Sequence, residues 1–340
     1  MTGEYIDLNQ ARQKRDPEPR IKLVPFDKVK LTSDRRYLVK GLIPYPGLSL
    51  IWGAPKTGKS FWTFDLVMHV ALGREYRGRR VQEGAVVYCC FEGQSGITAR
   101  IEAFRQRFLP EECDPVPFYL QPVTLDLIKE CPELIATIRS LGETPVVVVL
   151  DTLNRSLVGS ESSDADMAAY IRAADAIREA FDCSVLIVHH CGWNETRFRG
   201  HSSLGGALDA ELSVKRDLTD AVLVSVVSMK EGPTGTTIVS RLDPLEVGVD
   251  ADGDPIPSCV VVPAEAEERT SETRIKLSAN QQTMLAVLQT AKRPLSADEW
   301  TEKAKEAGII TKRHATYWDL RTKLHEKGFV YEGANGWLPK

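Results

Sequence analysis

Long hydrophobic runs are missing from this sequence: the longest purely aliphatic one, Val146–Leu150, falls far short of the roughly 18 to 20 apolar residues a membrane span needs. No transmembrane helix is expected. The seven cysteines form no CxxC pair, and two of them, Cys89 and Cys90, are adjacent in an apolar run. An odd count with that spacing argues against a disulfide framework and a zinc site, and leaves reduced, mostly buried thiols. An excess of charge of either sign is missing too, since 43 Lys and Arg against 47 Asp and Glu give a net −4. Overall charge therefore advertises no nucleic acid, although a local basic patch on a neutral protein is enough to bind one. The first residues, MTGEYIDLNQARQKRDPEPR, lack the apolar region and small-residue cleavage site of a secretory signal, so a cytoplasmic location is the expectation.

What is there is organised. The 340 residues allow one large domain, or a large one with a small partner. Residues 1–30 are polar and charge-rich, with Pro17 and Pro19 interrupting any helical period, and read as a flexible arm. Leu48–Trp52, Ala85–Phe91, Pro145–Leu150 and Ser184–Val188 are short apolar runs of the kind that forms strands buried on both faces. Between them, Ser60–Leu72, Ile97–Phe108, Leu134–Leu141 and Ala165–Phe181 carry apolar residues at helical spacing. Strands alternating with helices predict an α/β fold with a mostly parallel sheet and right-handed crossovers. Beyond Asp209 the segments Glu211–Lys215, Ala221–Met229 and Thr236–Leu242 alternate, as antiparallel strands do. A core over 31–262 is followed by a Pro, Glu and Ala-rich linker at 263–277. In the last stretch, 278–340, three helices and a short hairpin have the outline of a small winged-helix domain.

Chemistry concentrates at the ends of the apolar runs. Gly53-Ala54-Pro55-Lys56-Thr57-Gly58-Lys59-Ser60 fits the phosphate-loop pattern GxxxxGK[ST] in full, with Phe61 next, and sits between a strand and a helix. Backbone N–H groups of such a loop converge on the phosphates of ATP, Lys59 neutralises the β and γ phosphates, and the Ser60 hydroxyl reaches Mg²⁺. Val146–Leu150 ends in Asp151, a Walker B carboxylate at the sheet edge where open α/β folds bind ligands, and Thr152 follows it. Asp151 is a second Mg²⁺ contact, through the ion's water shell. Glu92 closes the run Val86–Phe91 at the same edge, placed to polarise the attacking water. His189 and His190 close the run Ser184–Val188; His190 is the better sensor of the γ phosphate, and His189 the better packed core histidine.

Together, Gly53–Ser60, Glu92, Asp151-Thr152 and the His189-His190-Cys191-Gly192 turn resemble the RecA-like, AAA-type ATPase core of hexameric replicative helicases. The plasmid RepA-like branch, related more distantly to DnaB, is the nearest match, over about Leu31–Val262. Asp151-Thr152-Leu153-Asn154-Arg155-Ser156 and Arg199–Ala207 are the stretches particular to that branch. The resemblance implies a homo-oligomeric, hexameric ring that hydrolyses ATP with Mg²⁺ and grips single-stranded DNA through central loops. Those loops would be Leu157–Asp166 and Trp193–Ser203. The second carries Arg197, Arg199 and His201 with Trp193 and Phe198 interleaved, which suits phosphate contact and base stacking. The first is acidic, with Glu161, Asp164 and Asp166, and suits holding metal, a neighbouring subunit or the other loop. The resemblance also implies an arginine finger for the next subunit's γ phosphate, at Arg216 or Lys215, with Arg199 the rival. Thr152 stands where the plasmid helicase has a second acidic residue, and the C-terminal unit is an addition to that core.

Lys312, Arg313, His314, Tyr317, Trp318, Arg321 and Lys323 cluster around one helix of the C-terminal unit. A recognition helix on DNA phosphates has that composition, with Arg313 and Arg321 as contacts; so does a solvated helix in an interaction module. The expected function is an ATP-driven DNA motor, a replicative helicase of a plasmid, phage or mobile element, with replication-initiator or primase partners and no membrane. The alternative is an ATP-switched DNA-binding regulator or helicase loader without processive unwinding.

Overall fold

The computed structural model describes residues 23–30, 36–192, 196–264, 277–291, 293–309, 315–326, 328–333 and 336–339. The chain divides into two compact units, Met1–Arg35 and Arg36–Lys340. In the first, the described residues form one 3₁₀ turn, Phe26–Lys28. Most of the expected N-terminal arm and of the expected linker lies outside the described residues.

The second unit begins with a small antiparallel pair, β1 (Tyr37–Val39) and β2 (Ile43–Pro44). Then come β3 (Gly47–Gly53), α1 (Lys59–Ala71), β4 (Ala85–Cys90), α2 (Gln94–Phe108), β5 (Phe118–Gln121), α3 (Leu127–Arg139) and β6 (Pro145–Asp151). The short α4 (Leu153–Ser156) leads to α5 (Asp164–Phe181), β7 (Ser184–His190), α6 (Ser203–Ala207) and four strands: β8 (Ala210–Arg216), β9 (Val222–Met229), β10 (Thr237–Val249) and β11 (Pro255–Pro263). Nine of these strands form one sheet in the order β11-β10-β9-β8-β3-β7-β6-β4-β5. From β5 to β8 every pairing is parallel, and from β8 to β11 every pairing is antiparallel.

Side chains on a strand alternate between faces, and the apolar runs fill both. Ile51, Tyr88, Val149 and Val188 pack with α1 and α2 in one core, whereas Leu50, Val87, Leu150 and Ile187 pack with α3 and α5 in the other. A sheet covered on both faces needs apolar residues at every position, which is why these strands read as continuous runs. Charged and imidazole side chains gather at the C-terminal edge of the parallel strands, where Glu92, Asp151 and His190 lie.

Two elements differ from expectation. Helix α3 starts at Leu127, not near Leu134, because Asp126 caps it by accepting from Ile128 N at 3.2 Å and Pro132 is accommodated inside it. Strand β11 is an addition to the expected set, since Pro255, Pro257 and Pro263 disguise it; it is an edge strand, where a missing N–H costs no ladder bond.

The C-terminal residues form α7 (Ala279–Ala291), α8 (Ala297–Glu306) and α9 (Ala315–Glu326), then a hairpin of β12 (Val330–Gly333) and β13 (Gly336–Pro339). They share a separate apolar cluster around Trp300, Met284, Leu288 and Leu324. Helix α8 opens on a capping box between Ser296 and Glu299. Among the described residues no helix is long and apolar enough to cross a membrane.

Candidate functional site

The loop after β3 needs its glycines. A Cβ on Gly53 would run into the carbonyl of Val214 on the neighbouring β8, and Gly58 sits at φ +94° to turn the chain into α1. Thr57 closes the loop by donating to the Ala54 carbonyl at 2.9 Å. Gly58, at the N-cap of α1, has no side chain with which to cap it, so the first amides of α1 are open to another acceptor. Lys59 is buried and bends back, donating to the carbonyls of Gly53 at 3.0 Å and Ala54 at 2.8 Å. Burial pulls its pKa below the ordinary lysine value, while nearby Asp151 pulls the other way. This is an ammonium group parked on neutral carbonyls in a loop built for anions.

Around it lies a cleft of about 520 Å³ lined by Lys59, Ser60, Phe61, Glu92, Asp151 and His190, together with Arg100, Thr152, Arg216 and Leu242. Asp151 is buried and accepts from the Tyr88 hydroxyl at 2.6 Å. Its carboxyl pKa is raised by burial, against hydrogen bonds from Tyr88 and Ser60 that lower it. Glu92 is exposed at the cleft rim, where Thr152 Oγ1 donates to it at 3.4 Å and Arg155 Nε lies 3.8 Å away. His190 is half-buried, and burial followed by the Lys59 charge lowers its pKa, so the ring is neutral at pH 7. His189 is fully buried and donates from Nε2 to the Arg199 carbonyl at 2.9 Å. Burial lowers its pKa as well.

The donor set fits a nucleotide with its magnesium ion. An uncapped helix end, a parked lysine and the Ser60–Asp151 pair suit phosphates and a hard cation. Arg100 and Arg216 add two guanidinium groups whose buried Nε atoms have no hydrogen-bond partner among the described residues.

A hairpin leaves this edge next. Cys191 N donates to the Gly53 carbonyl at 3.2 Å, Gly192 N to Arg197 at 2.8 Å, and Arg199 N to His190 at 3.0 Å. Arg197 is exposed at its far side. Trp193 lies outside the described residues, and Phe198 packs against the core beside α3 and α5, so Phe198 is an anchor and not a free stacking surface. Arg199 and His201 are engaged by the acidic loop: Arg199 Nε lies 2.9 Å from Glu161 Oε2, and His201 Nδ1 lies 3.2 Å from Asp164 Oδ1. Asp166 is spent locally, accepting from Ser160 N at 3.0 Å. The acidic loop therefore touches the other loop through Glu161 and Asp164.

Two expected site residues are placed by contacts that the sequence does not show. Arg216 lines its own chain's cleft, because β8 lies directly beside the strand that feeds the phosphate loop, and it is tied to Asp220 at 2.7 Å. Lys215 is exposed beside it. Arg321 is half-buried, donates to the Ala297 carbonyl at 3.2 Å and stacks over Trp337 at 5.7 Å. It packs the hairpin onto the helices. Arg313, with Lys312 and His314, lies outside the described residues.

Arg100 and Tyr88 were missed. Arg100 falls on the stripe of Ile97, Ile101, Phe104 and Phe108 on α2, with its guanidinium 4.3 Å from the centre of the Phe61 ring. A lone arginine on the apolar face of a helix was the available signal.

Residues 15–196, more than half of the chain, match the AAA domain family. The chain belongs to that family. It carries a complete phosphate loop, Gly53–Ser60, at the edge of a mixed nine-stranded sheet whose central strands are parallel. The AAA-domain chain is also similar to the RadB recombinase (16% identity, TM-score 0.42, covering 58% of this chain and 89% of that one). A KaiC-like protein from the hyperthermophilic archaeon Pyrococcus horikoshii OT3 gives 11% identity and a TM-score of 0.43, covering 66% of this chain and 94% of that one. No curated protein matches.

Proposed function

We propose that this AAA-domain chain is an ATP-driven motor on single-stranded DNA, assembled as a hexameric ring and acting as a replicative helicase of a plasmid, phage or other mobile element. The observation that carries the reading is the Gly53 carbonyl, which accepts from Lys59 Nζ and from Cys191 N at once. Phosphate loop and basic hairpin thereby share one acceptor. An anion that draws Lys59 off the Gly53 carbonyl changes a contact that the hairpin stem also uses.

In this reading the loop amides and Lys59 hold the β and γ phosphates, and Arg100, stacked on Phe61, flanks the nucleotide. Ser60 and Asp151 hold magnesium, which supplies charge neutralisation on the phosphates. Glu92 accepts the proton of the attacking water; Thr152 and Arg155 keep its carboxylate at the rim. Arg216 stabilises phosphate charge in its own cleft. His190, a neutral donor beside Lys59, reports the terminal phosphate to the hairpin, whose Arg197 and Arg199 contact the DNA backbone. The C-terminal residues 278–340 form a separate winged-helix-like domain that engages DNA or a replication-initiator or primase partner, in the cytoplasm.

A second reading, an ATP-switched regulator without unwinding, draws on the self-contained C-terminal cluster and the exposed Trp318 on α9. Strand displacement separates the two. The motor releases the labelled strand of a forked duplex with ATP, and Lys59→Ala releases none. ATP-dependent DNA binding with no displacement on forks of either polarity favours the regulator.

A further inference from the structure

A carboxylate buried among apolar strands is costly unless its partners are fixed, and Asp151 keeps only 3% of its surface in solvent. Tyr88 on β4 is fully buried, and its hydroxyl donates to Asp151 Oδ2 at 2.6 Å. Strand register explains the reach. In the parallel pairing of β4 with β6, Tyr88 lies opposite Val149 and Cys90 opposite Asp151. Residues two apart on a strand share a face of the sheet, so Tyr88 and Asp151 are diagonal neighbours on one face, a separation that a tyrosine spans. The ring is clamped as well. Its centre lies 6.3 Å from that of Phe64 on α1, edge to face, and 6.1 Å from that of Phe118 on β5. Phe64 follows Ser60 by four residues, one turn of α1, so both stand on one side of that helix. One side chain thereby packs against the helix that carries Ser60 and bonds the carboxylate that closes β6.

A carboxylate turns readily about its Cβ–Cγ bond, but with Oδ2 held by Tyr88 that rotation breaks a buried hydrogen bond. Tyr88 itself lies outside the lining of the cleft. We propose that Tyr88 is a positioning residue that locks the Asp151 carboxylate in the orientation that receives magnesium, with no contact of its own to ion or nucleotide. The proposal rests on reading Ser60 and Asp151 as the magnesium site. A hydroxyl that served the fold alone would leave the ion's contribution untouched.

The test is titration of the full chain with a fluorescent ATP analogue, once in excess Mg²⁺ and once in EDTA. The ratio of the two affinities is the gain that the ion brings. Tyr88→Phe keeps the ring between Phe64 and Phe118 and removes only the hydroxyl. It is expected to cut the gain about ten- to a hundredfold, the scale for deleting a hydrogen-bond partner of a metal-binding carboxylate, with the EDTA affinity unchanged. Asp151→Asn lowers the gain to the part that Ser60 supplies, and adding Tyr88→Phe lowers it no further, because the tyrosine acts through the carboxylate. Equal losses in Mg²⁺ and EDTA overturn the proposal, since the hydroxyl then only shapes the cleft. An undiminished gain in Tyr88→Phe overturns it, as does a double variant in which the two losses multiply. Should Tyr88→Phe alone fail to fold, Asp151→Asn with and without Tyr88→Phe carries the test, because the buried charge is gone from both. Further loss of the gain on removing the hydroxyl then overturns the proposal, and no further loss supports it. A wild-type protein that binds the analogue equally well with and without Mg²⁺ removes the magnesium reading together with the proposal, and differs from a failure of Tyr88→Phe alone.

Discussion

Lys59→Ala abolishes nucleotide hydrolysis, with an expected loss of at least about a hundredfold, the scale for deleting one preorganised donor to a developing anion. The size follows from the lysine's surroundings. Lys59 is buried against two backbone carbonyls at 3.0 and 2.8 Å. Its charge is already partly desolvated, as the lowered pKa reflects. An ammonium held out of water meets a phosphate with less solvation to lose and acts in a medium of low effective dielectric. The variant also removes the cation from the phosphate loop, so nucleotide affinity falls along with rate. Phosphate-release kinetics and titration of a fluorescent ATP analogue measure the two losses. Hydrolysis at the wild-type rate in a folded Lys59→Ala protein would remove the cleft from the chemistry.

Glu92→Gln separates hydrolysis from binding. The amide has the same shape and can still accept from Thr152, but it cannot take a proton from water. A positioned general base is worth roughly 10²- to 10⁴-fold, and that is the expected fall in kcat, with nucleotide affinity close to wild type. Glu92 is well suited to the role by exposure as much as by position: its rim location leaves room for a water, whereas Asp151 is buried under Tyr88 and cannot offer a free oxygen so easily. If Asp151→Asn loses only affinity while Glu92→Gln leaves turnover untouched, the base lies elsewhere. Rapid-quench single-turnover measurements distinguish the cases.

How far the sequence carried the argument depended on the range of each interaction. The phosphate loop is a contiguous segment, and its strand and helix flanks are contiguous with it, so eight residues and their context were readable at once. Asp151, Glu92 and His190 were readable because a parallel strand buried on both faces stays apolar until it leaves the core, and the first polar residue therefore marks the ligand edge. The same logic separated His189, which the pleat turns inward, from His190. That β8 lies beside β3, and so brings Arg216 to its own chain's cleft, was not legible, because strand order is not written in any local pattern. Arg100 was missed because its partner, Phe61, is distant in sequence, whereas contact between the acidic and basic loops was one of the tasks the sequence left open. The acidic and basic loops meet through Glu161–Arg199 and Asp164–His201. Arg321 illustrates the limit of composition, since a basic residue among aromatics on a helix is equally a residue that stacks on Trp337 to close a small core.

The central claim is that nucleotide turnover in this cleft answers to single-stranded DNA on the hairpin. Steady-state ATP hydrolysis, measured without DNA, with single strands and with duplex at one fixed low salt concentration, tests it most directly. Salt is held constant because phosphate contacts weaken steeply with it. The account predicts strong stimulation by single strands, little by duplex, and none in Lys59→Ala. Hydrolysis that is indifferent to single strands, or that responds to duplex alone, would contradict it.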